Sequence, residues 1–157
     1  MGDDADCGPL PENSAERLIE VNFSAAIKVI NAFFDHLATR PNANIVAIGS
    51  IAEIRGRKNN MIYGAAKRGL EFYFTSLRHR FTATDCHIQF YRLGFMKTTM
   101  LSNPSSFLPA IAPDTAAAVI CRNLGNDLVG QYLPRWWLAI ALILKILPWS
   151  IFKRLDI

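Results

Sequence analysis

The chain has 157 residues, 51% hydrophobic and 19% charged, with a net charge of +4, which fits one globular unit with a moderate core and excludes a disordered chain. Its 17 lysines and arginines are scattered and do not gather in one stripe, which argues against a nucleic-acid partner. Cys7, Cys86 and Cys121 form no close pair and share no metal-ligand spacing with His36, His79 and His87, so reduced thiols in a cytoplasmic protein and no metal site are expected.

In chain order, the acidic lead Met1 to Cys7 lacks the basic and apolar regions of a secretory signal. Met1-Gly2 begins a myristoylation pattern, but Asp6 stands where a serine or threonine is required. Asn13-Ser14-Ala15-Glu16 has the form of a helix cap, and apolar residues at Leu18, Val21, Ala25, Val29, Ala32, Phe33 and Leu37 predict one long amphipathic helix. It should stop near Thr39-Arg40-Pro41, because the residue before a proline is pushed out of helical geometry. Asn42 and Asn44 then supply a turn. The unbroken apolar run Ile45 to Gly49 predicts a strand buried on both faces, with Ser50 at its carboxyl end. Ligands of open α/β sheets bind beyond that end of the strands.

The loop from Glu53 to Asn60 carries Arg55, Arg57 and Lys58, which are expected to be mainly solvated, with contact to an anionic substrate as the lesser alternative. A second helix is predicted from about Ile62 to Phe81, packing through Leu70, Phe72, Phe74 and Leu77, followed by a buried strand from His87 to Tyr91. Helix, strand, helix, strand with ordinary loops implies a parallel sheet covered by helices, an α/β sandwich. After Gly94 come Pro104, Pro109 and Pro113, then a predicted helix from Asp114 or Thr115 to Asn123. Residues 133–157 form an apolar, tryptophan-rich tail distinct from residues 1–132. The uncharged stretch Trp136 to Leu144 is well short of the roughly twenty residues needed to cross a bilayer. With Arg135, Lys145, Lys153 and Arg154 beside it, the tail suits either a helix lying in the membrane interface or one docked on the protein's own core or a partner.

The chemistry concentrates at Ser50, Tyr63 and Lys67. A phenol with a pKa near 10 is a poor proton-transfer group at neutral pH unless a nearby cation favours the phenolate. Tyr63 and Lys67, four positions apart, share one face of the predicted helix, and Ser50 joins them from the end of a strand.

These residues resemble the short-chain dehydrogenase/reductases. Val21-Asn22 is similar to the family's Val-Asn pair, Ile45 to Ser50 to its strand ending in serine, and Tyr63-Gly64-Ala65-Ala66-Lys67 to its Tyr-x-x-x-Lys helix. Arg92 to Met100 resembles its Arg-Pro-Gly segment, with Leu93 in place of the proline and Thr98 four positions after Gly94. The resemblance spans about residues 14 to 102. It implies a partial Rossmann-like α/β fold and an NAD(P)-dependent oxidoreductase that interconverts a carbonyl and an alcohol of a small molecule. It also implies an acid-base role for Tyr63, substrate-oxygen binding by Ser50, a relay water at Asn22, and a homo-oligomer. Tyr63, Lys67, Gly94 and Thr98 would then face NAD or NADP.

Besides Leu93, the match departs from the family pattern upstream: Gly2 and Gly8 are the only glycines before Asn22, so the glycine-rich turn that seats the cofactor pyrophosphate is missing, as is the family's Asn-Asn-Ala-Gly block. The chain is therefore expected to be the C-terminal portion of such an enzyme, short by about ninety residues of the mononucleotide-binding half. The alternative is a non-catalytic fragment or interaction module that keeps the dimerisation helices. Gly2-Asp3, Ala52-Glu53 with the basic loop, and the tail also resemble the branch containing decaprenylphosphoryl-ribose keto-reductases. That branch would imply a lipid-linked sugar substrate and a peripheral position at the inner membrane face.

Overall fold

In a computed structural model of the protein, residues 12–98 and 109–155 are described. The acidic lead with Cys7 and the segment around Pro104 lie outside them. The helical first part comprises α1 (Ser14–Ile19), a π turn (Glu20–Ser24), α2 (Ala25–Ala32) and α3 (Phe34–Thr39). The single helix expected here is thus interrupted twice: by the π turn, and at Phe33, whose φ of −108° and ψ of 8° leave helical geometry. Asn13 does precede the first turn, but with φ 63° and no side-chain cap. Helical structure ends at Thr39, and Arg40 before the proline is extended at ψ 125°, as the steric rule requires.

Then come β1 (Ala43–Ser50), a 3-10 turn (Ile51–Glu53), α4 (Met61–Arg80), β2 (Cys86–Leu93), α5 (Pro113–Arg122), β3 (Leu128–Leu133), α6 (Trp137–Ile146) and α7 (Trp149–Phe152). The strands lie in the order β1-β2-β3, all parallel. Helix α4 buries Leu70, Phe74 and Leu77 at helical spacing against Ile45, Ala47, Ile88 and Phe90 of the sheet. Phe90 is wholly buried, with its ring centroid 5.8 Å from that of Phe74. Phe72, expected to pack, is instead 77% exposed on the opposite face of α4.

Strand β3 was not predicted from the sequence, because Gly130 interrupts its apolar run and reads as a breaker. In the fold that glycine forms a bulge: Phe90 pairs with Val129 but Tyr91 pairs with Gln131, and Gly130 takes φ 80°.

The tail folds back onto the domain. Trp137 and Ala141 are buried in a cluster with Ile51 and Tyr132. Arg55 donates to the Leu144 carbonyl at 2.6 Å, also bonds the Leu147 carbonyl, and lies 4.0 Å over the Phe152 ring. Arg55 is therefore a clamp on the last turn of α6, which corrects its reading as a solvated charge. The docked reading of the tail holds for this inner face. Its outer face leaves Leu142, Ile146 and Trp149 exposed, and among the described residues no helix is long and apolar enough to cross a membrane.

Because Phe74 is 2% exposed at the centre of the helix–sheet contact, Phe74→Ala should lower unfolding free energy by about 3–5 kcal/mol. Urea unfolding followed by circular dichroism measures it, and a loss under about 1 kcal/mol would contradict this packing.

Candidate active site

Parallel pairing sets Ser50 opposite Leu93, so the serine stands beside the chain that turns at Gly94. Beyond these strand ends opens a cavity of about 580 Å³. All six residues singled out in the sequence line it: Asn22, Ser50, Tyr63, Lys67, Gly94 and Thr98.

Asn22 reaches the cavity from the π turn, a form of helix distortion frequent at functional sites, and its Nδ2 donates to the Leu18 carbonyl at 3.0 Å. Ser50 ends β1 in extended geometry and caps the following 3-10 turn. Its Oγ accepts from the Ala52 N–H at 3.1 Å, while its own N–H donates to Glu53 Oε2 at 3.2 Å. Tyr63 and Lys67 lie on the first turns of α4, with Lys67 Nζ 5.8 Å from the Tyr63 ring centroid and donating to the Ile48 carbonyl at 3.1 Å. Burial pushes the Lys67 pKa down, and the Glu53 carboxyl opposes that shift.

Gly94 donates its N–H to the Leu133 carbonyl at 2.8 Å. A Cβ at this position would lie 1.8 Å from Nε1 of Trp137, so the tail requires glycine here. Thr98 sits exposed at the rim. Of the basic loop, Arg57 lines the cavity.

Several cavity neighbours were missed in the sequence. Asn60 is buried just before α4 and borders the cavity. Ile51 and Phe95 line it and also pack against Trp137, whose ring meets that of Phe95 edge-on at 5.3 Å. Behind Ser50, Glu53 Oε1 lies 2.8 Å from Arg92 Nε, and Arg92 also pairs with Glu71. Burial raises the Glu53 pKa to about 8, opposed by the Ser50 N–H and Arg92 and reinforced by Glu71. Charged residues at separations of 18 to 39 positions carry no local pattern that announces such a cluster.

The short chain dehydrogenase family model matches residues 3–107. The chain belongs to the short-chain dehydrogenase family. It is 23% identical over 142 residues to an uncharacterized oxidoreductase of Mycobacterium tuberculosis, covering 90% of this chain and 57% of that protein. It is also 23% identical over 110 residues to a fatty acyl-CoA reductase of Acinetobacter baylyi, covering 67% of this chain and 36% of that one. The chain thus spans about 57% of the length of the first of these curated relatives. Among solved structures, a short-chain dehydrogenase from Burkholderia cenocepacia in complex with NADP superposes with a TM-score of 0.75 at 20% identity, covering all of this chain and 69% of that one. One from Sphingobium yanoikuyae in complex with NADPH superposes with a TM-score of 0.65 at 17% identity, covering 99% and 64%. These structural likenesses establish a shared Rossmann-like fold.

Within the family pattern, the residues present suit the nicotinamide end of a dinucleotide. A lysine ammonium, a tyrosine, a glycine backbone and a threonine border one cavity at the strand ends. Among the described residues no strand precedes α1, and β1 has a single neighbour, so they include no turn for the pyrophosphate.

Glu53 also sets a pH dependence. Below pH 4.5 it is protonated in folded and unfolded chains alike; as pH rises from there toward 8 the unfolded chain releases a proton that the folded one keeps, so stability is lost across that window. The thermal midpoint of the wild type should fall between pH 5 and 8 relative to Glu53→Gln, whose profile should be flatter. Parallel profiles would contradict the assignment.

Proposed function

We propose that this chain is the catalytic portion of an NAD(P)-dependent oxidoreductase that interconverts a carbonyl and an alcohol, with Tyr63 as its acid-base residue. The observation that carries the reading is the convergence of Asn22, Ser50, Tyr63, Lys67, Gly94 and Thr98 on one cavity. Lys67, Gly94 and Thr98 would hold the nicotinamide end of the cofactor, which would supply or accept the hydride. The NADP and NADPH complexes of two similar folds support that cofactor class.

In the reducing direction Tyr63 gives its proton to the oxygen on which negative charge develops, and in the oxidising direction it removes one. Ser50 Oγ already accepts from Ala52 N–H, which leaves its own proton to donate to the substrate oxygen, a bond that strengthens as charge builds there. Lys67 uses one of its three donors on the Ile48 carbonyl, leaving the others for the cofactor ribose while its charge favours the phenolate of Tyr63. Asn22 holds a water that returns the proton from solvent.

The substrate is a small carbonyl or alcohol. The exposed apolar outer face of α6 and α7, with Arg135, Lys145, Lys153 and Arg154 beside it and no acidic residue from 128 to 155, favours an amphiphile such as a lipid-linked sugar met at a membrane surface. A second reading, an interaction module, is favoured by Val29, Phe33 and Phe72, all more than half exposed on the helical layer; these faces suit a second copy of the chain.

Titration with NADH and NADPH, followed by nicotinamide fluorescence, tests the catalytic reading. Saturable binding is expected, with Tyr63→Phe retaining it while lowering kcat/KM on a panel of ketones by about 10²–10⁴-fold. Absence of binding at millimolar cofactor would favour the module. For the tail, the chain should float with vesicles containing anionic lipid, and Leu142→Glu with Ile146→Glu should abolish flotation. Equal flotation of wild type and double variant would remove the membrane role.

A further inference from the structure

Behind the cavity lies a group of buried ionisable side chains that the proton-transfer chemistry does not use. Glu53 comes from the turn after β1, Glu71 from α4 one helical turn beyond Lys67, and Arg92 from β2 two residues before Gly94. The Glu53 side chain is fully buried, and those of Glu71 and Arg92 are 11% and 10% exposed. Arg92 Nε lies 2.8 Å from Glu53 Oε1, Nη2 donates to Glu71 and Nη1 donates to the Gly130 carbonyl of β3 at 2.6 Å, while the guanidinium lies 4.8 Å from the Tyr132 ring centroid. A Cβ on Gly130 would come within 2.9 Å of Nη1, so the bulge in β3 makes room for this guanidinium. Arg68 pairs with the outer oxygen of Glu71 at 2.6 Å and brings a second cation from the surface.

A buried carboxyl group is costly unless its partners are fixed in place. Here the inward oxygen of Glu53 meets Arg92, and the other receives the backbone N–H of Ser50. A Cβ on Gly49 would fall 2.8 Å from that second oxygen, so the backbone closes over it.

We propose that Glu53 is a positioning residue for Ser50: its carboxyl fixes the serine's backbone, and through Arg92 and Glu71 it locks the serine turn to the helix of Tyr63 and Lys67 and to the strand before Gly94. The consequence for function rests on the catalytic reading of that cavity. The groups that face Glu53 are the Ser50 N–H from β1, Lys67 and Glu71 from α4, Arg92 from β2 and Tyr132 from β3. Proton exchange at Glu53 is therefore felt first at Ser50, the group that holds the substrate oxygen.

The test follows the Ser50 backbone amide by ¹⁵N NMR from pH 5 to 9.5, alongside the Glu53 side-chain carboxyl carbon. The two should titrate with one common midpoint, and Glu53→Gln should leave the Ser50 amide flat. A Ser50 amide that stays flat while the Glu53 carboxyl titrates, or that titrates unchanged in Glu53→Gln, would overturn the proposal. The wild-type comparison decides the matter even where the variant fails to fold. Because neither readout requires turnover, a failure to bind nicotinamide would overturn the catalytic reading while leaving this result standing.

Discussion

Everything at the site hangs on the register of β1 against β2. With Ala43 opposite Cys86 and Ser50 opposite Leu93, the two strands end together, and their continuations form the walls of the cavity. A slip of one residue would reverse which side chains face the helices, so the burial of Ile45 and Ala47 on β1 and Phe90 on β2 against α4 fixes the position of Ser50 as firmly as it fixes the core. Arg92 then ties the same junction electrostatically. One guanidinium reaches the serine turn, the Tyr-Lys helix and the third strand at once, with a geometry that a lysine's single ammonium could not reproduce.

The tail is the second constraint. Trp137 occupies the space against Gly94 that any side chain there would need, and it shares Ile51 and Phe95 with the cavity wall. Arg55 fastens the other end of α6 by taking carbonyls that the helix leaves open at its C-terminus. The segment that looked separable in composition is therefore packed directly behind the site, and only its outer face keeps the apolar, cationic character that sets it apart. The glycine that the family resemblance assigned to the cofactor also has a packing reason to be glycine.

What the sequence disclosed was local or periodic. The helical spacing of Leu70, Phe74 and Leu77, the apolar run ending at Ser50, and the four-residue step from Tyr63 to Lys67 each mark an element that is found in place, but β1 is buried on alternate residues with Ile48 41% exposed, not on both faces as its apolar run predicts. The features that escaped are those made by distance or by broken patterns. Gly130 hid β3 by serving as a bulge, and the π turn around Asn22 has no sequence marker. Arg55 meets partners 89 and 92 positions away, and Glu53 finds Arg92 across two strands, so neither role has a local signal. Long-range ion pairs and clamps depend on tertiary placement, which periodicity does not encode.

The central claim is that the cavity at the ends of β1 and β2 receives the nicotinamide end of a dinucleotide against Lys67 and Gly94. Reduced nicotinamide mononucleotide, which lacks the adenine half and needs no pyrophosphate turn, probes that claim directly when added at millimolar concentration to ¹⁵N-labelled protein. Saturable shifts at the amides of Ser50, Tyr63, Lys67 and Gly94, lost in Lys67→Met, are the result predicted. Unmoved amides there, or shifts confined to the cavity at the far end of the sheet around Thr75, Cys86 and Asp127, would contradict it.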